Sequence, residues 1–176
     1  CEPYVTPDFR VMMEAPKALV AGALLTARAA GTSTVIIGIQ YNKPDAIEKM
    51  KKLTGGTSVT VQGLKVKYPQ GGEKQLTQAL LKREVPSGGL PIDVGVVVFN
   101  VGTAFAAYEA VMKNRPLIDR VVTVTGLSVN KPSNFQVRIG TPVSLLVEKA
   151  GGMPGDTAKV INGGPMMGKA LSNLDV

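Results

Sequence analysis

Apolar positions along this chain follow two alternating rhythms. From Pro16 the run Ala18-Leu19-Val20-Ala21-Gly22-Ala23-Leu24-Leu25 is rich in small residues and continues to Gly31. A proline in the first turn and a glycine at the close predict a helix. Thr34-Val35-Ile36-Ile37-Gly38-Ile39 is short, apolar and β-branched, which predicts a buried strand. Asn42-Lys43-Pro44 opens a second predicted helix, reaching Leu53 before Gly55-Gly56 stops it. Thr57 to Tyr68 predicts a second strand region, kinked at Gly63, and Glu73 to Lys82 a third helix. Val94-Gly95-Val96-Val97-Val98-Phe99 predicts a flat third strand, and Val101 to Met112 a fourth helix. Asp8-Phe9-Arg10 reads as loop, holding no more than a local ion pair.

Helices alternating with continuous apolar strands predict an α/β fold, a mostly parallel sheet with helices on both faces. Ligands of such sheets sit in the loops that leave the carboxyl ends of the strands. Here these are Gln40–Pro44, Tyr68–Glu73 and Asn100–Thr103. After Lys113 the pattern changes. Asp119 to Gly126 alternates valine with polar residues, Asn134 to Ile139 is a second short strand, Thr141-Pro142 opens a helix to Lys149, and Ala158 to Ile161 is a further strand. Strand, strand, helix, strand predicts a small α+β module over 114–176, following a first domain over 1–113.

Composition narrows the chemistry. The 176 residues are 44% hydrophobic, which supports a sizeable core. No apolar run approaches the roughly 18 residues of a membrane helix. There is one cysteine and no histidine, so an internal disulfide, Ser-His or Cys-His catalysis and histidine-based metal sites are excluded. The net charge is +7, but aromatic residues are only 5%, too few for the usual stacking on nucleic acid, and no nucleic-acid partner is expected. The opening Cys1-Glu2-Pro3-Tyr4, with neither leader nor initiator methionine, reads as the interior of a longer protein.

Gly163-Gly-Pro-Met-Met-Gly168-Lys169 imitates a phosphate-binding G-x-x-x-x-G-K loop. Ala170 stands where Ser or Thr would hold magnesium, Pro165 removes an amide, and too few residues follow for the helix such a loop needs. A Gly/Pro/Met turn that packs one domain on its neighbour is the expectation. Tyr68-Pro-Gln-Gly-Gly-Glu73 admits two readings. It could be an ordinary strand-to-helix turn, its glycines supplying unusual dihedrals and Glu73 complementing the helix dipole. Alternatively a flat ligand lies on the Gly71 and Gly72 backbone, flanked by Tyr68, with Glu73 accepting hydrogen bonds. Asn100 and Thr103 open a helix beyond the third predicted strand, as an N-cap or as a second wall of the same site.

Taken together, CEPYVTPDFRVM, NKPDAI, YPQGGEKQL, REVPSGGLPIDVGVVVFNVGTAF, RVVTVTG, VRIGTP and VINGGPMMG resemble the RnfC family, the flavin subunits of the Rnf ion-translocating electron-transport complexes. The pattern is also similar to the flavin- and NADH-binding subunit of respiratory complex I and to a flavoprotein of cobalamin reduction. The resemblance implies a Rossmann-like FMN- and NADH-binding domain followed by a soluble-ligand-binding β-grasp (SLBB) domain. It implies that Tyr68, Gly71, Gly72 and Glu73 line the flavin, that Asn100 and Thr103 fix it, and that Glu2 lies on the nicotinamide side. Gly72 stands where the complex I relative has glutamate, and Phe99 and Gly102 also depart from that relative. The glycine-rich phosphate loop is expected upstream of Cys1 and the iron–sulfur cysteines downstream of Val176, so these residues alone are expected to hold no cofactor. The intact protein is implied to pass electrons between NAD(H) and iron–sulfur clusters through FMN. It would do so at the cytoplasmic face of the inner membrane, as a peripheral member of an Rnf-type assembly, with ferredoxin as an indirect redox partner. No residue is expected to act as acid, base or nucleophile. A structural docking platform is the alternative.

Overall fold

The computed structural model describes all residues, 1–176. The chain divides into two compact units. One comprises Cys1 and Asp8–Pro116, the other Glu2–Pro7 and Leu117–Val176.

In the first unit, α1 (Pro7–Glu14) and α2 (Pro16–Ala29) precede β1 (Val35–Gln40), α3 (Pro44–Thr54), β2 (Val59–Leu64) and α4 (Glu73–Leu81). A 3-10 turn (Pro91–Val94) and α5 (Val101–Lys113) follow. β1 and β2 pair in parallel, Val35 opposite Val59 and Gln40 opposite Leu64. β2 alternates as the period-two pattern requires, with Val59 and Val61 buried and Thr60 and Gln62 exposed. On α3 the buried residues Ala46, Met50 and Thr54 recur every four positions, one helical stripe.

Both faces of β1 are covered. Ile39 belongs to a buried cluster with Met12, Leu19, Val20, Ala46, Met50, Val59, Val61 and Ala104, against which Val35 and Ile37 also pack. On the opposite face, a Cβ at Gly38 would lie 3.2 Å from Leu76 and 3.4 Å from Leu80 of α4. The expected parallel strands with helices on both sides are therefore present, in a sheet of two strands. α2 and α5 pack through Gly22, where an added Cβ would come within 1.8 Å of the Ala104 carbonyl oxygen. The small-residue run thus lets two helix backbones meet at a distance no side chain allows.

Two local expectations are corrected. Val94–Phe99 forms no ladder with another strand. Its first residues are committed to the 3-10 turn: Val96 N–H donates to Pro91 C=O, Gly95 has φ 70°, and Arg83 donates to the Val94 carbonyl at 2.8 Å. What remains alternates between half-buried and exposed, with Val97 and Phe99 on the exposed side. Asp8-Phe9-Arg10 is not loop but the first turn of α1, and Arg10 pairs with Glu14 rather than Asp8.

The second unit contains β3 (Asp119–Val124), β4 (Ser133–Arg138), α6 (Val143–Lys149) and a short ladder of β5 (Ile161–Asn162) with β6 (Lys169–Ala170). β3 and β4 are antiparallel, Asp119 opposite Arg138. The strand expected over Ala158–Ile161 shortens to Ile161–Asn162, because only its end finds a partner, across the 163–168 turn.

Residues Glu2–Pro7 are a strap of this unit. Both carboxylate oxygens of Glu2 accept backbone N–H groups of the 163–168 turn, from Met166 at 2.8 Å and Met167 at 2.9 Å. Gly164 is pressed so close that a Cβ would fall 2.2 Å from the Glu2 carboxyl carbon. Farther along, Thr6 N–H donates to Thr123 Oγ1 at 3.2 Å, and Asn134 Nδ2 donates to Thr6 Oγ1 at 2.9 Å. The imitation phosphate loop thus does seat an anion, and the anion is the chain's own carboxylate.

Candidate functional site

The turn after β2 is held by its own polar groups. Gln70 Nε2 donates to Lys65 C=O at 3.0 Å, Gln70 N–H to Lys67 C=O at 3.1 Å, and Gly72 N–H to Pro69 C=O at 2.7 Å. The Tyr68–Pro69 peptide is cis. Neither Gly71 nor Gly72 has a positive φ, so unusual dihedrals are not why glycine stands there. Close approach is the reason. A Cβ on Gly71 would lie 2.9 Å from Cys1 Sγ, and one on Gly72 2.7 Å from Gln75 Oε1 and 3.1 Å from Pro69 O. Gly72 precedes the first turn of α4, which begins at Glu73.

Glu73 is exposed and its carboxylate has no hydrogen-bond or ion-pair partner; Tyr68 is 41% exposed with its hydroxyl equally unengaged. Thr103 is half-buried in the first turn of α5, its hydroxyl also without a partner. Asn100 differs. Its Oδ1 accepts from Gly102 N–H at 2.8 Å as an N-cap, and its Nδ2 donates to Asp8 Oδ2 at 2.8 Å. Asp8, which the sequence does not mark as a site residue, thus fixes the orientation of the Asn100 amide. Its signal was the proline before it and its place in a first helical turn.

The first unit therefore carries two polar turns, Tyr68–Glu73 with the Tyr68 hydroxyl and Glu73 carboxylate free, and Asn100–Thr103 with only the Thr103 hydroxyl free. Each touches the N-terminal segment, the first through Cys1 and the second through Asp8. No side-chain hydrogen bond joins Tyr68 or Glu73 to Asn100 or Thr103. Glu2 lies in the second unit, both its oxygens engaged.

The turn after β2 also borders a groove of about 930 Å³ that the sequence did not reveal. Tyr41, from the loop after β1, forms one end, its ring lying on Gly63, where a Cβ would be 2.3 Å from a ring carbon. Lys65, Lys67, Tyr68 and Gln70 continue the wall, and Lys74, Gln75, Gln78 and Lys82 of α4 and its cap face them.

Two parallel strands flanked by helices, with a glycine-bearing turn beyond the carboxyl end of β2, define a nucleotide-type α/β domain, here joined to a small α+β unit. The match to known proteins makes this specific. Residues 1–109 match the Nuo51 FMN-binding domain, and residues 121–170 the SLBB domain. The chain belongs to the Nuo51 FMN-binding domain family.

Among curated relatives, the C subunit of a proton-translocating ferredoxin:NAD(+) oxidoreductase complex from Clostridium ljungdahlii is 50% identical over 176 residues. This spans all of this chain and 38% of the relative. The C subunit of the Na(+)-translocating ferredoxin:NAD(+) oxidoreductase complex of Acetobacterium woodii is 44% identical, over all of this chain and 40% of the relative. The C subunit of an ion-translocating oxidoreductase complex from Erwinia tasmaniensis is 46% identical, over all of this chain and 22% of the relative. The chain thus spans well under half the length of these relatives. Among solved structures, an NAD+-reducing [NiFe]-hydrogenase in the H2-reduced state superposes with a TM-score of 0.74 at 21% identity. It covers 92% of this chain and 32% of the hydrogenase chain, and shows the shared fold. No helix is long and apolar enough to cross a membrane.

Proposed function

We propose that these residues are part of an FMN- and NADH-binding subunit of an Rnf-type ion-translocating complex, passing electrons between NAD(H) and iron–sulfur clusters. FMN, when bound, accepts hydride and releases electrons singly, and the protein binds and orients it. The observation that carries the reading is the unengaged Tyr68 hydroxyl, Glu73 carboxylate and Thr103 hydroxyl, on a chain of the Nuo51 FMN-binding domain family. The residues present fit such a group. Tyr68 and Glu73 offer a free hydroxyl and carboxylate beside Gly71 and Gly72, Thr103 offers a second hydroxyl, and Asp8 fixes the orientation of the Asn100 amide.

Glu73 accepts hydrogen bonds from nucleotide hydroxyls or the nicotinamide amide. Its charge suits those donors and repels phosphate, which leaves the FMN phosphate to residues beyond these. For Glu2 to face the nicotinamide, its bonds to Met166 and Met167 would have to open; its geometry favours the role of a clasp. The names of the relatives support other members of such a complex as partners and ferredoxin as indirect redox partner; a peripheral position on the cytoplasmic face of the membrane belongs to the same proposal.

The test uses a chain of the relatives' full length. Wild type should purify with bound flavin, visible in its absorption spectrum. Glu73→Ala should retain that flavin and lose about tenfold or more in NADH affinity, the loss of one charged hydrogen bond. Absence of flavin binding would sink the family-based reading; unchanged NADH oxidation in the variant would sink the role of Glu73.

A further inference from the structure

The groove beside the β2 turn has a chemistry that the flavin reading does not use. It has two walls. The first is the exit of β2, where Lys65 and Lys67 both line the groove while the exposed Val66 between them does not. The second is one face of α4 and its cap, where Lys74, Gln75, Gln78, Ala79 and Lys82 recur at helical spacing. Four ammonium groups thus line a single open groove against one carboxylate, Glu84. None of the four lysines has a carboxylate within ion-pair distance.

Three properties select among occupants. Small-molecule sites are largely enclosed and apolar, whereas this groove is open and lined mainly by Lys, Gln and Tyr. Nucleic acid favours arginine forks and stacking rings, but no arginine lines the groove and one face of Tyr41 is already laid on Gly63. Glutamine amides offer both donor and acceptor, which matches a peptide backbone, and ammonium groups match carboxylates. We propose that this groove is a docking site for an extended, acidic polypeptide segment of a partner protein. Carboxylates on alternate residues meet Lys65 and Lys67, and the far side is received by Lys74 and Lys82. The proposal stands apart from the flavin reading, since of the predicted flavin residues only Tyr68 borders the groove, and Tyr68 is left intact in the test.

The probe is a fluorescein-labelled deca-glutamate peptide, followed by anisotropy in the intact chain at low and physiological salt. One variant combines Lys65→Glu, Lys67→Glu and Lys74→Glu. The control combines Lys17→Glu, Lys51→Glu and Lys52→Glu, the same charge change on exposed helix positions outside the groove. Circular dichroism verifies that both retain the fold. The groove variant should weaken binding about tenfold or more, and the control about threefold or less. Equal losses in the two variants overturn the proposal, because net charge then explains the binding. A deca-thymidylate that binds more tightly than the peptide through the same three lysines overturns it in favour of nucleic acid. Full displacement of the peptide by ADP overturns it in favour of a nucleotide seat.

Discussion

At the scale of single residues, the chain distinguishes engaged carboxylates from waiting ones. Glu109 is 7% exposed on α5 and accepts from Lys113 Nζ at 3.4 Å and Arg115 Nη1 at 3.2 Å. Both cations are partly solvated, so the pairs are worth less than a sealed ion pair. Glu109→Ala should cost about 1–2 kcal/mol in urea unfolding, mainly by removing an acceptor from Arg115. A cost indistinguishable from zero would show that solvent replaces both bonds. Glu73 is the opposite case, exposed and without a partner at the start of a helix, so its substitution should spare stability and register in ligand affinity. This contrast was only half legible in sequence. Glu73 stood out because a carboxylate beside paired glycines is awkward for phosphate. Asp8 did not stand out, and Glu2 did so only as a nicotinamide-side residue, because their partners Asn100, Met166 and Met167 lie 92 to 165 residues away.

At the scale of elements, periodicity and punctuation located five helices within a few residues. Proline at the first turn and glycine at the end act locally, and local signals survive in any context. The short α1 was missed because eight residues give a weak periodic signal, although Pro7 and Asp8 were its markers. Val94–Phe99 reads in sequence as a flat third strand. Its apolarity is real, but a strand also needs a neighbour for its backbone, and composition cannot say whether one is at hand. The glycines divide similarly. In sequence Gly22 is only one of a run of small residues, whereas its meaning is the Ala104 carbonyl behind it. Gly22→Ala should therefore destabilise the first unit by about 2 kcal/mol or more, despite alanine's better helix propensity. Thermal unfolding measures this, and a stabilised variant would mean that α2 and α5 separate freely.

At the scale of the whole molecule, the second unit is built from two pieces of chain, Glu2–Pro7 and Leu117–Val176. A segment cut at Leu117 loses the Glu2 clasp and the Thr6 bonds to Thr123 and Asn134. Residues 117–176 alone should unfold at lower temperature than the same unit in the intact chain. A synthetic peptide of residues 1–7 should restore part of the difference, and its Glu2→Ala version should restore less. Equal melting with and without the strap would show that it merely lies on the surface. The strands β3 and β4 and the helix α6 were legible from local pattern and punctuation, whereas the strap was not, because nothing in Glu2-Pro3-Tyr4 announces a receptor so distant in sequence.

That arrangement also sets an order in time. Glu2 is synthesised well before Met166, which follows 164 positions later. At about 5–20 residues per second, the strap is made roughly 8–33 s before the amides that receive it. α2 and α5 can bury Gly22 against Ala104 during that interval, whereas the second unit stays open at one end until the 163–168 turn is made. The first unit thus has a head start during synthesis, and the strap is a loose end that much later residues collect.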